Sequence, residues 1–114
     1  MEIKYKKIAS RGIRIFLEKD GQEVARATLF ILRNDLRQRQ FGYLEDVFVN
    51  EEQRGQGLGT KLVTEIVKVA KANKCYKIVM TSRYGREQVH QLYERLGFKN
   101  FGIEFKIYLE DLNN

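Results

Sequence analysis

Apolar and polar residues alternate along the first half of the chain and recur every three to four positions along much of the second. In "IRIFLEKDGQEVARATLFIL", residues 13–32, two runs rich in β-branched and aromatic residues flank Asp20-Gly21. Both residues at the centre tolerate a left-handed backbone, so the stretch predicts a hairpin of two strands. "EIKYKKI", residues 2–8, alternates as an edge strand does and predicts one more strand ahead of them. The polar break "NDLRQRQ" then leads into "FGYLEDVFVN", residues 41–50, a fourth strand rich in aromatic and β-branched residues.

From Leu58 the period lengthens. Leu58, Leu62, Val63, Ile66, Val67 and Ala70 fall on one stripe, while Lys61, Thr64, Glu65, Lys68 and Lys71 face away, which predicts an amphipathic helix to about Asn73. "CYKIVMTS" reads as a buried strand. "REQVHQLYERLGF" reads as a second helix with Val89, Leu92, Tyr93 and Leu96 inward and Gly97 as its stop. "GIEFKIYLE" predicts a closing strand, giving the order β-β-β-β-α-β-α-β.

A strand, a helix and a strand between residues 43 and 82 make a right-handed crossover, so the fourth and fifth strands should be parallel within a largely antiparallel sheet. Between the fourth strand and the first helix lies "QRGQGLGTKL", with three glycines in five positions. Glycine is costly at a helix start unless the backbone must approach something closely, and amides at a helix N-terminus suit a phosphate. A Walker loop is excluded because the order here is Gly59-Thr60-Lys61. A dinucleotide fingerprint is excluded because the pattern is G-x-G-x-G and the next strand ends in Thr81-Ser82 rather than an acidic residue.

Charge agrees with an anionic guest without choosing it. Twenty-one basic residues against 15 acidic ones leave a net charge of +6, spread along the chain rather than gathered in a tail. The one cysteine, Cys75, excludes an internal disulfide, and with His90 as the one histidine no metal site is expected. The opening "MEIKYKKIASRG" has no long apolar core and no run approaches the length of a membrane span, so neither export nor membrane insertion is expected. A cytoplasmic location is the matching expectation.

The string Arg54-Gly55-Gln56-Gly57-Leu58-Gly59 resembles the acetyl-CoA loop of the GNAT superfamily of N-acetyltransferases. "VFVNEEQRGQGLGTKLV" is similar to that family's strand, loop and helix unit, and "VHQLYERLGF" to its second signature. The resemblance implies an α/β fold: a mixed, mostly antiparallel sheet with a central parallel β-α-β crossover, in one domain spanning residues 1–114. It also implies transfer of an acetyl group from acetyl-CoA to a primary amine. A GNAT-like module that binds coenzyme A, protein or nucleic acid without turnover is the alternative.

By the same resemblance, the amides of Arg54, Gly55, Gln56, Gly57, Leu58, Gly59 and Thr60 would wrap the coenzyme A pyrophosphate. The fourth and fifth strands would splay apart, and the pantetheine arm would pair with the main chain of Val47, Phe48 and Val49. Tyr93 would protonate the departing thiolate, and Glu45, near the acceptor in similar glucosamine-6-phosphate N-acetyltransferases, would act as base, directly or through water. Strand alternation sends Glu45 and Asp46 to opposite faces. His90, one helical turn before Tyr93, is a candidate proton relay or a structural residue. Cys75, at the far end of its strand, reads as a structural thiol, so direct transfer is expected over an acyl-enzyme.

Three departures from the resemblance bear on the acceptor. Thr81 stands where the sugar-phosphate enzymes carry an acidic residue, and "SRYGREQ" is longer than its counterpart. Arg86 stands where many members place an asparagine, and would bind a coenzyme A phosphate or an acidic acceptor, or begin the helix. "YKKIASRGIRIF" leaves room only for a turn where helices usually wall the acceptor site. That site is therefore expected to be open, or completed by a second subunit in a homodimer or by a bulky substrate. Neither a membrane nor a nucleic-acid partner is expected for the enzyme.

Overall fold

The computed structural model describes residues 1–112 and divides the chain into two compact units, Met1–Met80 and Thr81 onward. In the first unit lie β1 (Arg11–Lys19), β2 (Gln22–Asn34), β3 (Arg39–Val49), a 3-10 turn (Glu51–Gln53), α1 (Leu58–Ala72) and β4 (Cys75–Met80). In the second lie α2 (Glu87–Arg95) and a 3-10 turn (Leu109–Leu112). Strands follow the order β1-β2-β3-β4. The first two pairings are antiparallel and β3–β4 is parallel, as the crossover requires.

The β1–β2 hairpin closes through Asp20 (φ 53°) and Gly21 (φ 78°), the two left-handed residues of a turn whose twist matches its strands. Beyond it β2 alternates strictly. Ala25, Ala27, Leu29 and Ile31 are buried, and Leu62, Ile66 and Ala70 of α1, with Leu44 of β3, complete the same cluster. Ile13, Ile15 and Leu17 of β1 and Ile78 and Met80 of β4 border it. Each large aliphatic side chain buried here contributes roughly 1.5–3 kcal/mol. The helix is also tied at its end, where Asn73 donates to the Val69 carbonyl (2.8 Å), accepts from Arg11 on β1 and takes a bond from Gln40 of β3 on its own carbonyl (3.2 Å).

Two expected strands are absent from the described elements. Residues 2–8 form none: Ile3 and Tyr5 are exposed, and Lys6 pairs with Asp35 in the β2–β3 turn instead (3.1 Å). Three lysines in seven positions place repelling charge along what would be the new ladder. Residues 102–110 also form none, despite apolar alternation at Ile103, Phe105, Ile107 and Leu109, all exposed. A strand needs a neighbour's hydrogen bonds, and the unit from Thr81 onward holds no strand among its described residues. The observed order is therefore β-β-β-α-β-α, and the fourth and fifth strands of the sequence reading are β3 and β4.

Gly42 marks the tightest point of the core face. A Cβ at Gly42 would lie 2.7 Å from Cδ1 of Leu29, a residue with no exposed surface, and 3.6 Å from Ile78. Gly42→Ala is expected to lower stability by about 1–3 kcal/mol through overpacking, and Leu29→Ala by about 2–5 kcal/mol through its cavity. In urea denaturation the double variant should lose clearly less than the sum, because the new methyl enters the space that Leu29 vacates.

Candidate functional site

In the first unit the candidate site lies where β3 leaves its parallel neighbour. Pairing with β4 ends at Leu44↔Met80, while β3 runs on to Val49 paired only with β2. Main-chain groups of Glu45–Val49 on that side are thus free of a strand partner. Within this stretch a bulge sets Asp46 and Val47 against Ala27 alone, between the pairs Thr28↔Glu45 and Arg26↔Phe48. Asp46 carries the strain, at φ 57°. The bulge interrupts the expected alternation, so Glu45 and Asp46 are both exposed. No hydrogen bond or ion pair engages the Glu45 side chain among the described residues.

Val47 and Val49 pack against the core, whereas Phe48 lies outward with the Arg26 guanidinium 4.7 Å from its ring centre. The chain then turns through Glu51–Gln53, and Arg54 bonds back to the Val49 carbonyl through Nε (3.0 Å), leaving its other nitrogens exposed. Gly55 (φ 84°) and Gly57 (φ 78°) occupy the left-handed region, and a Cβ on either would meet nothing within 4 Å. Their role is therefore conformational, and the space above them is open.

Gly57 caps α1 without a side chain, and the first turn holds no acidic residue. The first intrahelical bond runs from the Lys61 amide to the Gly57 carbonyl (3.1 Å). Amides at Leu58, Gly59 and Thr60 thus emerge uncapped at the positive end of the helix dipole, with the Thr60 side chain exposed beside them. Gln56 is exposed and its amide reaches Gln53 (3.5 Å). The arrangement fits a polyanion: open space, aimed N–H groups, a flanking guanidinium and no carboxylate in the helical turn.

The second unit presents a different chemistry on α2. Tyr93 is half-buried, and burial pushes its phenol above the ordinary value while the nearby Arg86 guanidinium opposes the rise. The phenol is a held proton donor at neutral pH. Its ring meets Phe98 edge-on at 5.8 Å, just past a helix end closed by Gly97 (φ 100°) with bonds Gly97 N–H to Glu94 and Phe98 N–H to Tyr93. Arg86 stands at the N-cap of α2. His90 places Nε2 3.1 Å from Ser82 Oγ. The apolar run of "CYKIVMTS" reads as strand as far as Ser82, whereas β4 stops at Met80 and leaves Ser82 outside the sheet.

Cys75 begins β4, half-buried, and burial pushes its thiol up against a smaller opposing effect of Arg11. A protonated thiol there is a poor nucleophile, in keeping with a structural role.

Comparison with known proteins gives this geometry a family. Residues 2–98 match the acetyltransferase (GNAT) family. The probable glucosamine 6-phosphate N-acetyltransferase 2 of Oryza sativa subsp. japonica is 34% identical over 90 residues, 78% of this chain and 52% of that protein. The glucosamine 6-phosphate N-acetyltransferase of Candida albicans is 33% identical over 91 residues, 79% of this chain and 59% of its own. In structure, glucosamine-6-phosphate N-acetyltransferase from Arabidopsis thaliana matches with a TM-score of 0.78 at 27% identity, covering 85% of this chain and 66% of that one. The chain spans about half the length of the curated relatives it matches. With the family's extent covering most of the chain and the fold shared with a solved member, the chain belongs to the GNAT acetyltransferase family.

Proposed function

We propose that residues 1–114 act as one acetyl-CoA-dependent N-acetyltransferase domain, moving an acetyl group directly to a primary amine of a small molecule or protein. The observation that carries this reading is the continuity at β3: a strand edge without a partner leads within a few residues into an uncapped, glycine-opened helix N-terminus. A long cofactor with an amide-bearing arm and a pyrophosphate needs both, in that order. The amides of Arg54 to Thr60 hold the pyrophosphate, with Arg54 supplying charge. Main-chain groups of Val47, Phe48 and Val49 pair with the pantetheine arm, and an N–H of this segment polarises the thioester carbonyl.

In this reading the exposed carboxylate of Glu45 receives the acceptor ammonium and serves as its base, and Tyr93 gives its proton to the departing sulfur. Arg86 contacts a cofactor phosphate. The acceptor is an amine whose identity the relatives do not transfer, since Thr81 departs from the sugar-phosphate pattern. A cytoplasmic setting and a homodimer that completes the open acceptor site belong to the same proposal. Support for the dimer is the unpaired apolar alternation of residues 101–109.

Gly57→Ala forces a Cβ into the left-handed region, at about 1–2 kcal/mol. The helix start should therefore shift rather than the core, and the Kd for coenzyme A in isothermal titration should rise roughly tenfold. An unchanged Kd would remove the loop from the binding site. Tyr93→Phe should lower kcat by about 10²-fold with little change in the KM for acetyl-CoA, read by thiol release across polyamines, amino sugars, amino acids and lysine peptides. Because only the protonated phenol can donate and its pKa is raised, the alkaline fall in kcat should begin above the ordinary phenol range. That limb should vanish in Tyr93→Phe.

A further inference from the structure

The unit from Thr81 onward holds the one imidazole of the chain, and that imidazole has a hydroxyl partner. Ser82 lies two residues beyond the end of β4, in a stretch that is neither helix nor strand, and is exposed. His90, half-buried on the first turns of α2, has its backbone fixed by the bond from its amide to the Arg86 carbonyl (2.9 Å). Its ring therefore stands behind the Ser82 oxygen, with Nε2 3.1 Å away. A serine hydroxyl alone is too weakly basic to take a proton at neutral pH, whereas an imidazole can. An exposed hydroxyl backed by an imidazole couples the reach of one group to the basicity of the other.

We infer that Ser82 and His90 form a proton relay for the acceptor amine, an assignment that rests on the N-acetyltransferase reading. Neutral His90 carries its proton on Nδ1 and accepts the Ser82 O–H on Nε2, which leaves the oxygen's lone pairs for the substrate. In this scheme the pair, rather than Glu45, is the base: the acceptor ammonium gives one proton to Ser82 Oγ as the hydroxyl proton passes to Nε2. The electron pair so freed on nitrogen forms the bond to the thioester carbonyl carbon. The C–S bond then breaks with its electrons on sulfur, which takes the Tyr93 proton. The second proton on nitrogen replaces the one Tyr93 gave, and His90 releases its own to water, so the side chains end as they began. In this scheme Ser82 is a catalytic residue, because it touches the acceptor, and His90 acts through it.

A single histidine makes the pair directly observable. In ¹⁵N-detected spectra of the imidazole, the wild-type ring should be the Nδ1–H tautomer, Ser82→Ala should shift it toward the Nε2–H form, and Ser82→Thr should keep it. Thiol release from acetyl-CoA, with the same panel of amines, tests the relay itself. Ser82→Ala and His90→Gln should each lower kcat by about 10²-fold, with the KM for acetyl-CoA unchanged. The double variant should be no slower than the worse single one, since a relay cut once is already cut. Ser82→Thr should recover most of the rate. An unchanged ring spectrum in Ser82→Ala, an unchanged kcat, or losses that multiply in the double variant would each overturn the relay while leaving the N-acetyltransferase reading standing. No thiol release by the wild type with any amine would overturn that reading and the relay with it.

Discussion

Packing of α1 against β2 is the constraint on which the first unit depends. Leu62, Ile66 and Ala70 can be buried only if the helix lies along the row Ala25, Ala27, Leu29 and Ile31, and the two alanines let it approach closely. Once that contact forms, the chain entering the helix must come from the end of β3 and the chain leaving it must return as a strand parallel to β3. The position of the glycine loop is a by-product of core packing. Asn73 secures the other end of the helix to β1 and β3, so the direction of the dipole axis is fixed by groups far from the loop.

Where β3 outruns β4, the same framework makes an opening. Five residues of β3 lie beyond the last parallel pair, and the bulge at Asp46 falls among them. The bulge turns two acidic residues outward together, where simple alternation would have separated them. A left-handed aspartate is not a comfortable state, and it is tolerated because the flanking pairs to β2 hold both sides of it. Strain, exposure and loss of pairing coincide in one short segment, a combination common near sites that act on ligands.

Parts of this were legible in the residues alone, for physical reasons that differ by element. Asp20-Gly21, the apolar stripe of α1 and Gly97 each encode their geometry within a few positions, so local chemistry suffices. The glycine loop was equally plain, since only a backbone requirement explains its composition. Residues 102–110 misled because alternation states what a segment could do with a partner and cannot supply one. The bulge left no trace, as Asp46 is no glycine and the irregularity arises from fitting β3 to β2. Ser82 was hidden by a strand that ends two residues sooner than its apolar run suggested, and its bond to His90 spans a loop whose course no pattern specifies.

The two-residue turn at Asp20-Gly21 also bears on the order of assembly. It joins strands adjacent in sequence, so β1, β2 and β3 can zip as a meander through local contacts that close quickly. The parallel pair must instead wait for the whole of α1, because Gln40 and Cys75 are separated by the crossover. On a growing chain the meander is made first and β4 is the last strand to join the sheet, so Glu45–Val49 become an overhang only when β4 pairs as far as Leu44. A chain halted before Cys75 has a three-stranded sheet whose β3 edge is open along its whole length, and only the completed crossover confines that opening to its last five residues.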